Sequence, residues 1–132
     1  EGNAPCYISI DNSGNYVMVA NYNSGNVTVC PINADGSLST ATSTIQHTGS
    51  GPVSGRQDGP HAHMIKQATN DFVYSTDLGT DKVVIYNLDK NTGVLSSKGN
   101  DAFVAKMVNT GVPFARSNNL HNGFGQIGRI GR

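Results

Sequence analysis

The run Arg56-Gln57-Asp58-Gly59-Pro60-His61-Ala62-His63 gathers groups able to move a proton and to hold an anion. Imidazole titrates near neutral pH, so His61 could deprotonate a water. A guanidinium offers paired donors, so Arg56 could hold a phosphate or carboxylate on a substrate. Gln57 and His63 would add polar contacts to the same molecule. A blander alternative stays open, in which Arg56 is a solvated loop residue and the histidines bond backbone or line a wet channel. His61-x-His63 could also join Asp77 or Asp81 around a metal. Nothing in the spacing supplies the remaining ligands, and Asp77, which follows a β-rich run, suits a turn cap. No metal or cofactor is expected.

These residues sit in a chain that resembles itself at an offset of about 56 residues. One copy reads Pro5 to Ile10, Tyr16 to Asn21, Ser24 to Ile32 and Ala34 to Leu38. The other reads Pro60 to Ile65, Phe72 to Asp77, Thr80 to Leu88 and Asn91 to Leu95. Each holds three short runs rich in Val, Ile, Tyr and Thr, parted by Asn, Ser and Gly clusters, which predicts strands joined by tight turns. A fourth strand is expected near Ser39–Gln46, and no window supports a helix. Four antiparallel strands at this period predict a β-propeller blade. The expected organisation is a first blade over 1–50, a second blade and the start of a third over 51–106, and an aberrant tail over 107–132. In this alignment His61 occupies the place of Cys6 and His63 that of Ile8, and residues 61, 63 and 65 share one strand face. Because a blade buries its faces only against neighbouring blades, two blades would need the missing blades of the ring, or oligomerisation.

Composition narrows the function classes. Nine basic residues balance nine acidic ones, so nothing points to nucleic acid or an anionic membrane surface. Only 14% of residues are charged and 16 are glycine, as turn-rich β proteins require. No stretch reaches the roughly 18 apolar residues of a membrane span, and Glu1 to Pro5 do not read as a signal sequence. Cys6 and Cys30 fall on the first and third strands of one blade, two spacings of about 4.8 Å apart, so both are expected as free thiols. Free thiols favour a reducing, cytoplasmic setting.

Three segments resemble the seven-bladed propeller lactonases, the family that includes bacterial 6-phosphogluconolactonase and the fungal carboxymuconate-cyclising enzyme. They are Ala4 to Asp11 with Val19 to Val27, His47 to Pro52 with Arg56 to His63, and Asp77 to Val83. The middle segment is the specific one, since neither a strand nor a turn demands it. The resemblance implies an all-β fold, a partial ring of a seven-bladed propeller, and cytoplasmic, metal-independent hydrolysis of a small sugar lactone in the pentose phosphate route. It carries a catalytic role to His61 and, through a degraded motif from Gly111 to Arg116, to Arg116; the family's glutamate has no counterpart. These two blades alone would lack a full site.

Two other functions compete. Tyr16 to Tyr22 also resembles the non-enzymatic Tyr-Val-Thr-Asn repeat propellers, which would not need the Arg56 to His63 segment. Carboxymuconate cyclisation on the same scaffold is the other. The tail phrase Gly123-Phe124-Gly125-Gln126-Ile127-Gly128 resembles the opening of glyceraldehyde-3-phosphate dehydrogenase. It lacks the preceding strand, following helix and distant acid that a dinucleotide site needs, which points to a frameshift, fusion or truncation after about Lys106.

Overall fold

The β-branched and aromatic runs form strands in a computed structural model that describes residues 2–99 and the strand Phe103–Val104. One antiparallel sheet runs in order through β1 (Pro5–Ile10), β2 (Tyr16–Asn21), β3 (Asn26–Pro31) and β4 (Ser43–Gln46). The other runs through β5 (Ala62–Gln67), β6 (Phe72–Asp77), β7 (Lys82–Leu88) and β8 (Leu95–Ser97), with β9 (Phe103–Val104) also on β7. There is no helix among the described residues.

The fourth lane of the second sheet is divided. β8 pairs with the end of β7 through Tyr86, Asn87 and Leu88, while β9 pairs with its start at Lys82 and Val83. Both strands therefore belong to the second blade. The third blade's expected start and the tail, with Arg116, lie outside the described residues.

The two sheets stack with opposite faces of equivalent strands meeting. In β2 the buried alternate positions are Tyr16, Met18 and Ala20, whereas in β6 they are Val73, Ser75 and Asp77. Tyr16 and Phe72 start equivalent strands, so the parity is reversed: the front of one blade packs on the back of the next. Met18, Val27, Val29, Ile65 and Val73 are fully buried between them. Each contributes about 1.5–3 kcal/mol through the apolar surface removed from water.

The outward face of the first sheet has no neighbour among the described residues. Ile8 and Ile10 are 66% and 59% exposed, opposite Val19 and Val17 on the paired strand. That is the face another blade would cover.

β1 and β5 are joined directly by side-chain hydrogen bonds. Ser9 Oγ donates to Ile65 O at 2.6 Å, and Cys6 Sγ to the Ala62 and His63 carbonyls at 3.4 Å. Cys6 and Cys30 are unpaired thiols. The antiparallel order puts the β2–β3 turn, the β4–β5 connection and the β6–β7 turn at one rim.

Candidate functional site

The β4–β5 connection carries Arg56, Gln57 and His61 along this rim, and glycines let it lie close to both adjoining turns. A Cβ on Gly79, in the β6–β7 turn, would fall 1.8 Å from Gly59 O. A Cβ on Gly25, in the β2–β3 turn, would fall 2.5 Å from Pro60 O, and Gly25 also has a φ of +63°. Neither crossing admits a side chain. Gln57 ties the middle of the connection down: its Nε2 donates to Leu78 O and Asp81 Oδ1, both at 2.6 Å, and its Oε1 accepts from Val53 N at 3.1 Å. Gln57 is buried, so the structure turns it inward as a loop anchor rather than toward a substrate.

Tyr22, in the β2–β3 turn of the first blade, brings the other three candidates together. Its ring stacks on the His61 imidazole with centroids 4.6 Å apart and planes 13° apart. His63 meets the same ring edge-on at 6.0 Å, and the Arg56 guanidinium carbon lies 5.6 Å from its centroid. His61 Nδ1 is 3.2 Å from Tyr22 O. A carbonyl oxygen only accepts, so the bond requires the proton on Nδ1 and leaves the Nε2 lone pair to accept another. Arg56 is exposed and both histidines are half-buried. An imidazole with a free Nε2 lone pair beside an exposed cation can activate water and hold an anion.

A second cluster, behind this one, is buried. His47 Nδ1 is 2.6 Å from Asp77 Oδ2 and His47 Nε2 is 2.7 Å from the Tyr86 hydroxyl. The other Asp77 oxygen, Oδ1, accepts from His61 N at 2.9 Å and from Thr80 N at 3.1 Å. Burial alone would raise the Asp77 carboxyl, but the bonds from His47, His61 and Thr80 and the charge of His47 outweigh it and hold the carboxyl below its usual range. Burial, with the Asp77 charge second, pushes the Tyr86 phenol up. Asp77 caps the β6–β7 turn, as its position after a strand suggests, and does two further jobs no local pattern announces.

Two sequence expectations are corrected by strand register. The sheet has a bulge between Ala62 and Met64, as the first sheet has between Pro5 and Tyr7. His63 is thus the bulged residue equivalent to Cys6. His61 matches Ala4, since Leu78 N bonds His61 O at 3.0 Å as Tyr22 N bonds Ala4 O at 2.9 Å. The bulge also breaks the shared face of 61, 63 and 65: Ala62, Ile65 and Gln67 point to the core instead. For the metal alternative, Asp77 faces His47 and Asp81 faces Gln57, and the described residues contain no group of three His, Cys, Asp or Glu placed to hold an ion. Tyr22 and His47 were not singled out from sequence. Only the departure of Tyr22 from its equivalent, Leu78, hints at its role.

Comparison with known proteins follows the same lines. Residues 1–109 match the model of the family described as Lactonase, 7-bladed beta-propeller. The chain is 40% identical over 104 residues to the 6-phosphogluconolactonase of Bacillus subtilis, covering 78% of this chain and 29% of that protein. A solved protein from Lactobacillus plantarum superposes with a TM-score of 0.69 at 38% identity, over 76% of this chain and 28% of that one. The periplasmic gluconolactonase of Pseudomonas aeruginosa gives 0.58 at 36% identity, over 63% and 24%. The chain thus spans under a third of the length of these relatives. Its two stacked four-lane sheets are propeller blades, and the chain belongs to the seven-bladed β-propeller lactonase family.

Proposed function

We propose that the propeller containing these two blades hydrolyses a sugar lactone, 6-phosphogluconolactone, to 6-phosphogluconate, the step of the pentose phosphate route. The convergence of His61, His63 and Arg56 on Tyr22 carries this reading. His61 Nε2 takes a proton from water as the water oxygen attacks the lactone carbonyl. The tetrahedral oxyanion then collapses, the ring C–O bond breaks, and the leaving oxygen takes the proton back from His61. Arg56 holds the substrate's phosphate, His63 contacts its hydroxyls, and Arg116 is assigned to the oxyanion. Gln57 serves by anchoring the loop. The chemistry as written uses no metal and no cofactor. A cytoplasmic location is supported by the two unpaired thiols, and no helix among the described residues is long and apolar enough to cross a membrane.

An unphosphorylated gluconolactone is the second reading, favoured by the name of the Pseudomonas relative. The test is lactone loss above the spontaneous rate in the full-length protein, with both substrates. Preference for the phosphorylated lactone, abolished by Arg56→Ala, supports the first reading. Equal rates with both lactones support the second. Absence of catalysis with either would return the protein to a binding role.

A further inference from the structure

The β2–β3 and β6–β7 turns are equivalent: residue 22 matches residue 78, Gly25 matches Asp81, and both of the latter have positive φ, 63° and 53°. Tyr22 N and Leu78 N make the same backbone bond to the strand before them. The turn therefore does not require an aromatic residue, because its sibling builds the same geometry with leucine. What differs is where the side chain goes. Tyr22 reaches across the blade boundary and lies flat on His61, edge-on to His63 and under Arg56. Its carbonyl meets His61 Nδ1 as well. One residue of the first blade thus contacts His61, His63 and Arg56 from the chain leading into the second.

We infer that Tyr22 is a positioning residue that orients the His61 base through its carbonyl and ring while placing the Arg56 guanidinium beside it for the substrate's anionic group. The inference rests on the lactonase reading above. Without the ring, the His61–Tyr22 carbonyl bond remains but the imidazole can rotate about it. Arg56, exposed on its loop, loses the aromatic face beside it.

The test uses the full-length protein with Tyr22→Leu, Tyr22→Phe and His61→Ala. Tyr22→Leu should lower kcat about ten- to hundredfold, as misplaced catalytic groups do. It should also raise KM for the phosphorylated lactone more than for the unphosphorylated one. Tyr22→Phe, which keeps ring and carbonyl, should restore most of both. The His61 imidazole protons should show the ring-current shift of a stacked aromatic in the wild type and Tyr22→Phe, and lose it in Tyr22→Leu. Adding Tyr22→Leu to His61→Ala should cost no further kcat. A Tyr22→Leu protein with unchanged kcat and KM, or with an unchanged His61 spectrum, overturns the inference. Full activity of His61→Ala overturns the parent reading instead, and the spectrum still decides whether Tyr22 holds the ring.

Discussion

His47 Nδ1 lies 2.6 Å from Asp77 Oδ2 in a buried contact that ties the start of the β4–β5 connection to the end of β6. The other oxygen of the same carboxylate accepts from His61 N at 2.9 Å, where that connection ends. One side chain therefore pins both ends of the loop that carries Arg56. In the first repeat Asn21 stands at the equivalent position and bonds Asn26 and Thr28 instead. Acid, imidazole and the long loop between them form one device, whose acid is replaced by Asn21 in the first blade.

Removing the acid should be costly. Asp77→Ala leaves His47 and two backbone N–H groups buried without their acceptor, and breaking such a pair costs about 3–5 kcal/mol. Urea denaturation of the full-length protein should show that loss, with Asp77→Asn falling between the variant and the wild type.

The same carboxylate sets an acid limit. Its folded-state pKa is depressed below the ordinary value of 3.8, so the unfolded state takes up its proton first. The stabilisation is complete above the unfolded value, and is lost as pH falls through the lower folded value. Stability measured by urea from pH 6 downward should fall below about pH 4, and Asp77→Asn should fall less steeply there. Equal slopes for the two proteins would contradict the assignment.

Gly79→Ala tests the close crossing behind His61. The added Cβ would meet Gly59 O at 1.8 Å and His61 N at 2.8 Å, so the connection must move. Overpacking of this kind costs about 1–3 kcal/mol. The displaced imidazole should lower kcat about tenfold or more, with thermal melting and lactone turnover as the paired measurements.

A protein consisting of residues 1–132 alone should self-associate. Ile8 and Ile10 lie on a sheet face left exposed by the described residues, opposite Val19 and Val17, and such faces recruit apolar partners. Light scattering should show particles larger than a monomer, and Ile8→Lys with Ile10→Lys should reduce them. A monomer that melts cooperatively would contradict this.

The repeat was legible because strand and turn chemistry recur at a near-constant offset, and it predicted both four-lane sheets. The equivalence of individual residues was less so. Two proline-led phrases, at Pro5 and Pro60, align by eye, yet the bulges and the backbone bonds at Ala4 and His61 place His61 opposite Ala4 rather than Cys6, two residues earlier than the phrases suggest. A shift of that kind changes no composition, only register. The pairing of His47 is not legible in sequence because its partners, Asp77 and Tyr86, are 30 and 39 residues away. Gln57 reads from sequence as a substrate contact, and its burial depends on a turn that follows it by more than twenty residues.

The most direct test is the rate of 6-phosphogluconolactone hydrolysis by the full-length protein and its His61→Ala variant, each corrected for spontaneous opening. A general base contributes about 10²–10⁴-fold, so the variant should lose that much kcat while keeping its fold by circular dichroism. A folded His61→Ala protein that hydrolyses the lactone at the wild-type rate would contradict the account.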